Sequence, residues 1–137
     1  MKGIALLGLV LLFSACSLLD NGRNGLFGGS GDVVEPSIIA VSSLVAQELI
    51  NDVLIIDVRT AVEFRAGHIY GSVLIPYNMI DRYALKILQD KSRPVLVYCQ
   101  TGRRSLVAAN ALKEMGVVTI YNLYRGINGW CGPLVSY

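Results

Sequence analysis

Three observations predict a parallel α/β domain over residues 36–137. Short branched apolar runs alternate with longer amphipathic stretches along the chain. The runs at 53–58 and 95–98 read as strands buried on both faces, as parallel sheets require. Capping residues and breakers separate these pieces, and 137 residues with 53% hydrophobic and 16% charged side chains fit one globular core without room for a second sizeable one.

Taken in order, residues 37–41 form a first strand, and Ser42 or Ser43 caps a helix that runs through Leu44, Val45 and Leu49. Asn51 and Asp52 end it. The strand at 53–58 carries Asp57 near its C-terminal end, the edge where chemistry is expected in a parallel sheet. Thr60 then caps a short helix and Glu63, three residues on, supplies the capping-box acid. A third strand at 72–75 stops at Pro76, a helix follows over 80–88, and Arg93-Pro94 breaks the chain before the strand at 95–98. The next helix starts at Arg103 or Arg104, runs to Met115 and ends on Gly116; a last strand spans 117–123 before a turn-rich tail at 126–132.

Composition narrows the function. Twelve basic and ten acidic residues give a net charge of +2, with neither sign gathered into a run, so nucleic acid is not an indicated partner. His68 is the only histidine, and Cys16, Cys99 and Cys131 lack the paired spacing of a zinc site, so neither a metal nor another cofactor is implied.

Residues 1–15 read as a signal peptide. Lys2 precedes an apolar run at 4–13 that spans about 15 Å as a helix, half of a bilayer core. Ser14 and Ala15 before Cys16 resemble the bacterial lipoprotein processing box, which implies lipidation of Cys16 and membrane attachment; the other reading is a cysteine that follows an ordinary signal peptide. The expected location is the bacterial cell envelope, facing the periplasm, and Ser17 resembles a sorting signal for the outer membrane. Residues 16–35 hold five glycines and two asparagines, a composition for a flexible tether or an unanchored extension.

The informative constellation is Tyr98-Cys99-Gln100-Thr101-Gly102-Arg103-Arg104-Ser105, between a strand and a helix. Six residues from Cys99 to Arg104 can curl around a sulfur or a small anion. Their amides, if turned inward, form a nest whose field adds to the positive end of the following helix. Such a field lowers a thiol pKa and holds negative charge on a terminal sulfur, with Arg104 as countercharge and Gly102 permitting the curl.

These residues, with Ile56-Asp57-Val58-Arg59-Thr60, Glu63-Phe64, Gly67-His68-Ile69, Gly71-Ser72 and Ile75-Pro76, resemble the single-domain rhodanese (thiosulfate sulfurtransferase) superfamily over about residues 37–135. The resemblance implies a central, mostly parallel five-stranded sheet flanked by helices. It also implies a sulfurtransferase in which Cys99 takes sulfane sulfur from thiosulfate or a related donor as a persulfide and passes it to a thiol or cyanide. Gln100, Thr101, Gly102, Arg103, Arg104 and Ser105 would then bind substrate, with Arg104 where many such loops place an anion-binding arginine.

Asp57, Arg59, Glu63 and His68 read as structural support. Asp57 and Arg59 are expected to cap backbone groups and pair with acids such as Glu63; the resemblance places His68 in a structural turn, and the nest can maintain a thiolate without a histidine. Three other functions fit parts of the pattern: a noncatalytic interaction module on the same scaffold, an envelope thiol redox protein using Cys99 and Cys131, and an arsenate reductase or cysteine phosphatase. Loops of the last class typically have one more position from cysteine through arginine than the six here.

Overall fold

A computed structural model describes residues 34–137. The signal peptide, Cys16 and the tether up to residue 33 lie outside the described residues.

Strand β1 (Ser37–Val41) leads into helix α1 (Ser43–Leu49), whose Ser42 cap accepts the Val45 amide at 3.4 Å. Strand β2 (Leu54–Asp57) is followed by helix α2 (Ala61–Ala66), where Thr60 and Glu63 form the full reciprocal capping box. Strand β3 (Val73–Leu74) keeps only two residues: before it the Ser72 amide turns back to the Ile69 carbonyl, and after it the chain enters a 3₁₀ turn at Tyr77–Met79, with the Ile75 and Tyr77 amides still donating to the Asp57 and Val58 carbonyls. Helix α3 (Ile80–Ile87), strand β4 (Val95–Tyr98), helix α4 (Arg103–Glu114) and strand β5 (Thr119–Leu123) follow, with a second 3₁₀ turn at Ile127–Gly129. The last strand begins at Thr119 rather than at residue 117. Gly116, at φ +88°, turns the chain so that the Val117 amide still donates to Leu112 and the Val118 amide to Lys91.

The five strands lie in the order β1-β5-β4-β2-β3, and every neighbouring pair is parallel. All the C-terminal strand ends therefore share one edge, as the α/β reading requires. The two-residue period of β4 divides its side chains between two cores. Val95, Val97 and Cys99 pack in one cluster with Ala84 of α3 and with Ala108, Ala109 and Leu112 of α4; Leu96 and Tyr98 face the other, with Ala46 of α1 and Ile69. Helix α4 buries Ser105, Ala108, Ala109 and Leu112, the i, i+3, i+4, i+7 stripe of an amphipathic helix. That stripe fixes the rotation of α4 and hence the direction in which its first turn faces Cys99.

Candidate functional site

Strand β4 is interior to the sheet and delivers Cys99, only 1% exposed, to its C-terminal edge. The next three residues reverse direction and α4 begins at Arg103, so the thiol lies against the first turn of a twelve-residue helix. Gly102 makes this possible. It sits at φ +95°, and a Cβ there would lie 2.1 Å from the Tyr124 carbonyl oxygen, an overlap no side chain can have. Its amide points at the sulfur and donates to Cys99 Sγ at 3.1 Å.

Burial opposes ionisation of Cys99 and is the largest single influence on it. The Ser105 hydroxyl and the amides of Ser105, Thr101 and Gly102 together outweigh it, so the thiol lies below its ordinary 9.0. One loop amide, that of Gly102, bonds the sulfur directly, at the positive end of α4.

The Ser105 hydroxyl stands 3.6 Å from Cys99 Sγ and 2.7 Å from Asn122 Oδ1, and its single proton serves one of these acceptors at a time. Asn122 is a site residue the sequence reading missed. It pairs in register with Val97 and so faces the same core as Cys99, buried beneath α4. Its one signal is an asparagine between Tyr121 and Leu123 in a strand rich in apolar and aromatic residues. Segment 126–128 was missed as well: the Ile127 amide donates to the Cys99 carbonyl at 2.8 Å and that of Asn128 to the Gln100 carbonyl at 3.2 Å, pinning the loop from behind. Gly126 allows the approach, at φ +57° with the Cys99 and Gln100 carbonyl oxygens 2.4 and 2.5 Å from where a Cβ would be.

The charged residues pair differently from the sequence expectation. Arg59 does not pair with Glu63. Its guanidinium is bound to Asp57, at 2.7 Å to Oδ2, with both side chains nearly inaccessible, and it also donates to the Gly67 carbonyl at 2.6 Å. Burial disfavours the Arg59 charge, but Asp57 overrides that and raises its pKa. Glu63 instead takes Arg104 in a bidentate pair at 2.6 and 3.0 Å. This bond to Arg104 is the main reason its carboxyl falls from an ordinary 4.5 to about 2. The physical reason is placement. Helix α2 leaves the same sheet edge as the Cys99 loop, and its first turn, already facing Thr60, looks across at α4.

The remaining loop residues divide by exposure. Gln100 bonds Asn128 and receives Arg59 Nη1 at 3.5 Å. Thr101 and Arg103 are exposed at the surface of the loop, whereas Arg104, half-buried, is held charged chiefly by Glu63 against its burial, with a smaller contribution from Cys99. His68 is buried, with Nδ1 2.9 Å from the Phe64 carbonyl and its ring stacked on Phe64, and it is not among the groups bonded to Cys99 Sγ. Cys131 is exposed and, like Cys99, a free thiol. Beside the loop opens a cavity of about 360 Å³ whose walls include Arg59, Glu63, Gly67, Gln100 and Asn128, but not Cys99.

This geometry favours the ionised form of a buried thiol, with the Arg104–Glu63 pair beside its loop. The family of rhodanese-like domains matches residues 43–133. Among curated relatives, the uncharacterized protein YqhL of Bacillus subtilis is 41% identical over 80 residues, covering 58% of this chain and 62% of its own length. The thiosulfate sulfurtransferase GlpE of Coxiella burnetii is 35% identical over 92 residues, covering 66% of this chain and 84% of its own. Among solved structures, a rhodanese with anions from E. coli matches at TM-score 0.58 and 31% identity, over 61% of this chain and 98% of the other.

Proposed function

The chain belongs to the family of rhodanese-like domains, and from that premise we propose that it is a sulfurtransferase carrying sulfane sulfur on Cys99. The observation that carries the proposal is the buried Cys99 sulfur held 3.1 Å from the Gly102 amide at the start of α4. That field stabilises a thiolate before reaction and a persulfide anion after it.

In the first half-reaction the Cys99 thiolate attacks the outer sulfur of thiosulfate. A new S–S bond forms, the donor's S–S bond breaks, and sulfite departs with the electron pair. In the second half-reaction a thiolate or cyanide attacks the outer sulfur of the persulfide and Cys99 leaves as thiolate. One sulfur atom moves and no net oxidant is needed. The amides of Gly102, Thr101 and Ser105 favour negative charge on the sulfur, the Ser105 hydroxyl is held by Asn122, and the Arg104–Glu63 pair lies beside the loop. No histidine base enters.

The test is a single turnover. Reduced protein mixed with thiosulfate in the absence of an acceptor is expected to release one sulfite per Cys99 and then stop, and release resumes on addition of cyanide. No sulfite burst from folded, fully reduced protein would contradict the proposal.

The proposal extends to location: export through residues 1–15, lipidation at Cys16 and attachment to the cell envelope. Its support is the apolar run and the Ser-Ala-Cys sequence at 14–16. The native protein is expected in the membrane fraction and Cys16→Ala outside it. Equal partitioning of the two would remove the anchor from the account.

A further inference from the structure

We propose that Glu63 selects the charge class of the sulfur donor, disfavouring multiply charged anions such as thiosulfate relative to donors with less negative charge. The inference rests on the Cys99 persulfide reading and assigns the donor class for that same site.

An arginine beside a nucleophilic sulfur suggests a site built for dianions, but here two guanidiniums are each matched by a carboxylate. Arg59 is neutralised by Asp57 and Arg104 by Glu63. Both terminal nitrogens of Arg104 are engaged by the two Glu63 oxygens. A dianion approaching Cys99 therefore meets the amides of the helix start and a neutral Arg104–Glu63 pair, with the Glu63 carboxylate on the wall of the adjoining cavity. Arg103, the neighbouring cation, is exposed to solvent, where its field is screened. A donor with one negative charge forfeits less by this arrangement than one with two. The Glu63 carboxyl titrates near 2, so its negative charge is present throughout the neutral range.

Glu63 also caps α2, accepting from the Thr60 amide at 2.9 Å and hydroxyl at 2.8 Å. Glutamine is the other residue that completes a capping box, so Glu63→Gln removes the charge while an amide oxygen still serves the cap. Charge and architecture are thereby separable.

The experiment measures the second-order rate of sulfur loading on Cys99, by quenched intact mass, for wild type, Glu63→Gln and Thr60→Val at low ionic strength. The donors are thiosulfate, a dianion, and methanethiosulfonate, a monoanion. Glu63→Gln is expected to accelerate loading from thiosulfate about tenfold and from methanethiosulfonate about threefold, both gains shrinking as salt is added. Thr60→Val, which damages the same cap without removing the carboxylate, is expected to lower the melting temperature and leave the donor ratio at its wild-type value. A change by the same factor for both donors, or slower loading in Glu63→Gln, would overturn the role of Glu63. Should Glu63→Gln not fold, the salt series on wild type decides: loading from thiosulfate is expected to be nearly flat with ionic strength, and a steep fall would reveal an uncompensated cation and overturn the inference. Absence of sulfur on Cys99 from either donor in wild type would bring down the persulfide reading itself, whereas loading with an unshifted donor ratio would bring down only the role of Glu63.

Discussion

Cys99→Ser is expected to lower sulfur transfer by at least about 10³-fold while the fold persists. The substitution is close to isosteric, and a serine oxygen can still accept the Gly102 amide that now donates to the sulfur. Packing around β4 and α4 is therefore retained. The chemistry is not, because a hydroxyl stays protonated where the same amides hold the thiol below its ordinary value, and an oxygen cannot carry the transferable sulfur as a persulfide. Turnover with thiosulfate and cyanide, read beside a thermal melt, checks both halves of the expectation. Cys131→Ser is the control. That thiol is exposed, bonds only the Gly129 carbonyl at 3.6 Å, and has no part in the nest, so near-normal turnover is expected. Comparable losses in the two variants would favour a two-cysteine redox protein over a persulfide carrier.

The largest loss of stability is expected from Asp57→Ala. Asp57 is 0% and Arg59 4% exposed, and they share four hydrogen bonds, one to the Arg59 amide and three to its guanidinium. Removing the carboxylate strands a guanidinium in the interior, where a broken buried pair costs about 3–5 kcal/mol. For a domain of roughly 100 residues that lowers the melting temperature by roughly 15–30 °C. The damage reaches the site, since Arg59 also ties the Gly67 carbonyl and Gln100 to the sheet edge. In Asp57→Ala/Arg59→Met the stranded charge is gone, and much of the stability is expected to return. Denaturant melts of the two variants make the comparison; a double variant no more stable than the single one would show that packing of the arginine stem, rather than its charge, dominates.

Features that depend on near neighbours in sequence were legible without coordinates. The Thr60–Glu63 capping box, the helix start at Arg103 behind Gly102, and the buried strand at 95–98 each rest on residues a few positions apart, and the structure contains all three. The shape of the loop after Cys99 was readable for the same reason. Its glycine, its cysteine and the following helix lie within one short stretch, and the direction of the amides follows from the turn.

Pairing across the sheet edge was not legible. Glu63 and Arg104 are 41 positions apart, and nothing local to either sequence separates Arg59 from Arg104 as the partner of that carboxylate. Only the β2–β4 register, which sets Asp57 opposite Tyr98, brings α2 beside the loop and decides the matter. Asn122 was hidden by the same limit. A polar residue in a strand ordinarily faces solvent, and its inward orientation follows from a neighbour, Val97, supplied by another strand. The short β3 and the late start of β5 came from backbone hydrogen bonds that turn the chain at Ser72 and Gly116, where apolar composition alone reads as continuous strand.

The central claim is a covalent sulfur on one named atom, and intact mass spectrometry of the reduced mature protein after brief exposure to thiosulfate tests it most directly. The account predicts that wild type gains the mass of one sulfur atom, that peptide mapping places it on Cys99, that added cyanide removes it, and that Cys99→Ser gains nothing. A cyanide-labile sulfur adduct on folded Cys99→Ser, or none on wild type, would contradict it.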